Sequence, residues 1–217
     1  RDLLNRFDTI ITLSEIDTHK LQEAGVTTPV LSSFATINRK PKTSLESSCG
    51  FVLSFVGPEI HSPNKEGILW FLDSCWQRLL KSNPNYELRI IGLWSKETQR
   101  QLSDRYQNVH FLGYVDDLAA TLKNTIMIVP IQVGSGIRMK ILEAGMIGVP
   151  VVTTAVGVEG IPLVDGENCF IANTADAFVQ SILKLSEQTL REHFIVSAQK
   201  VIAKNYALEA LIKNREH

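Results

Sequence analysis

The sequence has no stretch of about 18 apolar residues, the length a helix needs to cross a hydrocarbon core. No basic, apolar and small-residue signal-peptide pattern opens it. Neither sign of charge dominates: 22 Lys and Arg meet 23 Asp and Glu, for a formal net charge of -1, which gives no reason to expect a nucleic acid or a strongly acidic partner. Cysteine is scarce. Cys49, Cys75 and Cys169 stand far apart, in neither a C-x-x-C nor a metal-ligand spacing, and such a count suits a reducing compartment. Two phosphate motifs are also missing. Gly57-Pro58-Glu59 does not open a G-x-G-x-x-G fingerprint, and Gly134-Ser135-Gly136 lacks its third glycine. No G-x-x-x-x-G-K-[ST] loop occurs. The motifs of a dinucleotide dehydrogenase and of a P-loop nucleotidase are therefore absent, and so are internal repeats and low-complexity tracts.

What is present suits an ordinary packed domain. With 217 residues, 44% of them hydrophobic, the chain holds one large domain or one domain and part of another. It opens at Arg1 rather than Met, and a fragment of a longer protein is expected. Residues 8–13 read as a strand, and Ser14 as the N-cap of a helix to about Glu23 that Gly25 stops. Pro29-Val30-Leu31 is extended again. This αβ tail, 1–40, has too few partners for a core of its own. Residues 41–49 are polar with one Pro and read as a linker.

From residue 50 the pattern alternates strand and helix: strands at 51–56, 87–92, 109–113, 126–131, 149–153 and 169–171, helices at about 64–81, 95–105, 117–123, 137–147, 175–186 and 189–204, and a last helix within 206–217. Apolar, non-alternating strands separated by helices predict an α/β fold, a doubly wound parallel sheet covered on both faces. Ligands of such sheets sit at the carboxyl ends of the strands. There the chain places Gly57-Pro58, Gly92-Leu93, Gly113-Tyr114, Gln132 to Gly136 and a loop at Gly157 to Gly160.

The richest stretch is Pro130 to Val152. It reads as strand, Gly134-Ser135-Gly136 turn, helix 137–147, a Gly148 stop and a second strand. A helix N-terminus is an anion site, and cations there oppose the dipole at about 0.3–1 kcal/mol each. Arg138 and Lys140 fall in that first turn, so a bound phosphate would remove the conflict. Position alone leaves two readings open: phosphate ligands, or cations solvated on the helix face. Glu143 likewise is an i,i+3 partner of Lys140 or an acceptor for a ribose diol.

The stretch P-I-Q-V-G-S-G-I-R-M-K-I-L-E-A at 130–144, with Gly157-Val158-Glu159-Gly160-Ile161, Phe55-Val56-Gly57, Pro63-Asn64 and Val109 to Asp116, resembles the nucleotide-binding half of the GT-B glycosyltransferases of family 4. The likeness covers roughly 50–205 and implies a Rossmann-like C-terminal domain preceded by the tail of an acceptor-binding domain. It implies a retaining transfer of a sugar from a UDP- or GDP-type donor. By the resemblance, Arg138 and Lys140 bind the diphosphate and Glu143 the ribose. Gly134, Ser135 and Gly136 offer backbone to the diphosphate and sugar, and Gly113, Tyr114 and Val115 read the base. Gly57, Asn64 and Lys65 form the first loop, with Lys65 able to stand in for a phosphate-binding lysine. No cofactor and no metal are implied, because cationic side chains and a helix end carry the leaving charge. The partners implied are the nucleotide sugar, a glycan, lipid or small-molecule acceptor and the missing N-terminal domain. The setting implied is cytoplasmic, with peripheral association of the full-length protein at the inner membrane face, in polysaccharide biosynthesis.

Two positions depart from the pattern: Ser135 stands where the first Glu of E-x7-E falls, and Pro58 where many members have Arg. They support one alternative, a non-catalytic nucleotide-binding or interaction module; a GT-B sugar-nucleotide epimerase is a further one.

Overall fold

The computed structural model describes residues 1–33, 36–37 and 51–208. The expected linker at 41–49 lies outside them, as do positions 209–217 of the expected last helix. The chain begins with a small αβ unit: β1 (Ile10–Thr12), α1 (Glu15–Glu23) and β2 (Val30–Ser32), with β1 and β2 parallel. Ser14 caps α1 as expected, its hydroxyl accepting from the Asp17 amide at 3.1 Å.

The main unit follows as β3 (Val52–Val56), α2 (Ser62–Phe71), α3 (Gln77–Ser82), β4 (Glu87–Ile91), α4 (Lys96–Arg105), β5 (Val109–Gly113), α5 (Leu118–Leu122), β6 (Ile126–Val129), α6 (Met139–Ile147), β7 (Val151–Thr153), α7 (Ala155–Val158), β8 (Phe170–Ile171), α8 (Ala175–Lys184) and α9 (Gln188–Tyr206). The π-helical turn Leu72–Trp76 joins α2 to α3 without a break. The helix starts at Ser62 rather than Asn64, because Pro63 fits the first helical turn, where its missing N–H costs nothing.

Every pairing of the six-stranded sheet is parallel, in the order β5-β4-β3-β6-β7-β8. Counted from β3 this is 3-2-1-4-5-6, the doubly wound order whose direction reverses between β3 and β6. Alternate strand residues feed two cores. Leu53, Phe55, Leu88, Ile90, Ile126 and Ile128 pack with α2, α4 and α8 on one face. Met127, Val129, Ile91 and Val151 pack with α5, α6 and α9 on the other.

Three local expectations are corrected. The helix expected at 137–147 begins at Met139, with Arg138 as its N-cap residue, φ -85° and ψ 87°, because the Arg138 side chain bonds back to the preceding turn. The loop expected at Gly157 is a helical turn, α7: the Thr154 hydroxyl accepts from the Gly157 amide at 2.9 Å and nucleates it. The helix expected at 189–204 runs from Gln188 to Tyr206, since Ala198, Ile202 and Tyr206 keep helical spacing against the second core, and it stops at Ala207, whose backbone is extended at φ -68° and ψ 154°.

Gly67, inside α2, has a packing reason. A Cβ there would lie 2.6 Å from the carbonyl oxygen of Pro130, at the end of β6. Only glycine lets α2 settle on that backbone, and this contact ties the loop after β3 to the loop after β6.

Candidate functional site

The two loops at the sheet's reversal point, 57–61 after β3 and 130–138 after β6, carry most of the expected site residues. Asn64, buried near the start of α2, joins them. Its Nδ2 donates to the Pro58 carbonyl at 3.0 Å, and its Oδ1 accepts from the Lys140 ammonium at 2.9 Å. Gly57 packs beneath the same amide, where a Cβ would meet it at 2.6 Å. The Lys140 Nζ also lies 4.7 Å from the centre of the Phe55 ring, a cation–π distance. Lys140 is half-buried, and burial first, then the nearby Arg138 charge, pulls its ammonium down to about 8.

Arg138 folds its guanidinium over the 134–136 turn. Nη1 donates to the carbonyls of Ser135 and Gly136. Burial lowers its pKa, and the Glu159 carboxylate acts in the opposite sense. Ser135 and Gly134 are exposed. Glu143 is half-buried one turn further along α6, and no hydrogen bond or ion pair joins its carboxylate to another described residue. The i,i+3 pairing with Lys140 is therefore not formed, because the ammonium turns to Asn64 instead. Its carboxylate is left able to accept from a ligand.

Tyr114 exposes 77% of its surface at the end of β5, so its ring is available to a flat ligand, while Val115 packs against the second core and anchors that loop. Lys65 is placed differently from the other cations. Its ammonium pairs with Glu59 at 2.7 Å, and Glu59 in turn accepts from the Ser95 amide at 2.7 Å and the Thr98 hydroxyl at 2.6 Å. These partners, Lys65 first, hold the Glu59 carboxyl down to about 2. Lys65 thus ties the loop after β3 to the start of α4 and does not face the 134–136 turn. Sequence reasoning assigned no role to Glu59, and none to Phe55 or Glu159 beyond their place in the quoted motifs. Only Gly67, an isolated glycine within a helical pattern, left a visible signal.

Residues 50–188 match the family described as group 1 glycosyl transferases. The chain belongs to that glycosyltransferase family. A curated relative, described as an uncharacterized 44.6 kDa protein in the cps region of Klebsiella pneumoniae, is 30% identical over 159 residues, covering 70% of this chain and 39% of the relative. Solved structures with the same fold include TarM of S. aureus (15% identity, TM-score 0.83, 98% of this chain and 44% of that one) and HepE of Anabaena (16%, TM-score 0.79, 99% and 64%). The glycosyltransferase WaaG matches at TM-score 0.72 and 18% identity, over 95% of this chain and 61% of its own. The six-stranded parallel sheet with flanking helices is thus the architecture of GT-B glycosyltransferases. The chain spans 39% of the curated relative and 44% to 64% of these structures, less than two thirds in each case. Among the described residues no helix is long and apolar enough to cross a membrane, and no cluster of three or more His, Cys, Asp or Glu is placed to hold a metal ion.

The depressed Lys140 carries a pH prediction. With an ammonium that deprotonates near 8, affinity for an anionic ligand at this site falls as pH rises from 7.5 to 9.5. The loss approaches tenfold per unit once Lys140 is neutral in the free protein but still protonated in the complex. Lys140→Arg keeps the charge and is expected to flatten the profile. Titration of a nucleoside diphosphate across that range checks both, and a flat wild-type profile would refute the assignment.

Proposed function

We propose that this chain is the donor-binding part of a retaining glycosyltransferase that uses a nucleotide-diphosphate sugar. The carrying observation is the link from Pro58 through Asn64 to Lys140, which sets one cation between the two loops of the reversal point beside the Arg138-covered turn. In this reading Arg138 leaves its turn carbonyls and forks onto phosphate oxygens, Lys140 supplies a point charge, and Glu143 accepts from the ribose hydroxyls. Gly134 to Gly136 lie along the diphosphate and sugar, and the Gly113 to Val115 loop meets the base. Gly57, Asn64 and, more remotely, Lys65 shape the first loop.

Transfer breaks the bond from the anomeric carbon to the β-phosphate oxygen. The electron pair stays on the diphosphate, where the two cations stabilise it, the acceptor hydroxyl oxygen bonds to the same carbon, and its proton passes to the leaving phosphate oxygen. TarM and HepE were solved with UDP, and GtfA, another neighbour, with UDP and GlcNAc, which supports a nucleotide donor. The acceptor, a glycan, lipid or small molecule, would meet residues outside this chain, in a preceding domain. The relative in a cps region supports a place in polysaccharide biosynthesis; a cytoplasmic setting, with the full-length protein peripheral at the inner membrane face, is part of the proposal.

Calorimetric titration of the chain with UDP and GDP is expected to show binding of one of them, unchanged by EDTA because no metal takes part. No heat with either would sink the proposal. The chain alone is expected to glycosylate no acceptor. Ser135, in place of a carboxylate, favours a second reading as a nucleotide-binding module without catalysis. Donor turnover by the full-length protein excludes that reading, and isomerised donor without acceptor would identify an epimerase.

A further inference from the structure

Glu159 lies outside the residues assigned to the donor, yet it connects them to the N-terminal αβ unit. Its carboxylate pairs with Lys20 of α1, Nζ to Oε1 3.1 Å, across 139 residues of sequence. No other described residue bonds to it. The next residue, Gly160 with φ +77°, is a tight contact point: a Cβ there would lie 2.8 Å from Ile137, the residue before Arg138, 3.6 Å from Ser14 and 3.8 Å from Ile16. The loop at 159–160 is therefore packed between the start of α1 and the residue that carries Arg138 into place. Lys20 and Glu159 are both partly exposed, at 49% and 32%, so water competes with their pairing and the carboxylate can change partner. Arg138 lies within electrostatic reach of it, half-buried, bonded to carbonyls of its own turn and in no ion pair with a described residue. A guanidinium gains more from a carboxylate than from neutral carbonyls.

We propose that Glu159 is an internal competitor for Arg138, held off it by Lys20, so that docking of the β1–α1–β2 unit sets how firmly the site grips a diphosphate. The inference rests on the reading of Arg138 as a diphosphate ligand. With the unit docked, Lys20 occupies Glu159 and Arg138 is available to phosphate. With the unit displaced, Glu159 turns to Arg138, and the anion must displace a covalently tethered carboxylate. Occupancy of the nucleotide and position of the N-terminal unit are then linked in both directions.

The test is a double-mutant cycle on the full 217-residue chain, titrated with whichever of UDP and GDP the wild type binds, and with the matching nucleoside as control. Lys20→Met is expected to weaken diphosphate binding about tenfold, ~1.4 kcal/mol, the scale of coupling between contacting residues. It should leave the nucleoside unaffected. Glu159→Gln is expected to bind the diphosphate at least as well as wild type. The double variant is expected to match Glu159→Gln, since without the carboxylate Lys20 has nothing to restrain. A Lys20→Met change under twofold overturns the inference, and so does a loss that persists in the Glu159→Gln background, which would mark a plain field effect of Lys20. A wild type that binds neither nucleotide removes the reading of the site itself, whereas wild-type binding with a silent cycle removes only the competitor.

Discussion

Arg138→Ala is expected to weaken binding of UDP or GDP by about 1.5–3 kcal/mol, roughly 10- to 150-fold, with the melting temperature unchanged. The first half follows from the partners of the guanidinium. In the free protein it bonds to the carbonyls of Ser135 and Gly136, neutral acceptors that a phosphate readily outbids. The second half follows from the same bonds: they lie on an exposed turn, and no core residue depends on them. Arg138→Lys should recover only part of the affinity, because an ammonium cannot fork onto two oxygens. Calorimetry checks the binding, and a melt checks the stability. Affinity within twofold of wild type for Arg138→Ala would remove Arg138 from the diphosphate.

Gly67→Val acts on the frame rather than the ligand. Even the first carbon of a side chain would sit 2.6 Å from the Pro130 carbonyl oxygen, and that atom is backbone at the end of a central strand. Neither partner can turn aside, so α2 must lift from the sheet. Overpacking of this kind costs about 1–3 kcal/mol, and the branched valine belongs at the upper end. At about 2–4 °C per kcal/mol for a domain of this size, the melting midpoint should fall by roughly 6–12 °C. Nucleotide affinity should fall as well, since Asn64 rides on α2 and holds Lys140. Glu66→Ala, one residue away on the exposed face, is the control and should melt within a degree or two of wild type. A Gly67→Val protein that melts with its parent would mean that the contact with Pro130 is dispensable.

Much of the fold was legible because its signals are local. Runs such as Ile126 to Val129 are apolar without alternation, and the caps at Ser14, Ser95, Asp117 and Thr174 are single residues whose side chains accept from the amide three positions on. The start of α6 was misplaced because helical spacing extends back to Ile137, while the bond that holds Arg138 out of the helix runs to carbonyls, which a sequence does not display. The position of the candidate residues was legible where motif and topology coincide, with Gly134 to Glu143 following a strand at the sheet's reversal point. It was not legible where it depends on distant partners. Nothing near Lys65 in sequence says that its ammonium goes to Glu59, because Glu59 is fixed by Ser95 and Thr98 from the next strand–helix unit. Nothing near Glu159 announces Lys20, 139 residues away.

The backbone bonds beyond the strand ends divide the site into walls of unequal stiffness. On one side the amides of Gly57, Glu59 and Gly92 donate to the carbonyls of Ile91, Leu93 and Gly113, so the three loops are laced to one another, and the Trp94 indole adds a bond to the Gly57 carbonyl. On the other side no backbone–backbone bond among the described residues engages 132–137, which hang between side-chain tethers at Ile131 and Arg138. Slow hydrogen exchange belongs to the first wall and fast exchange to the second. A ligand entering between them finds one surface already set, and the entropy of ordering falls on six residues rather than on the whole mouth of the sheet.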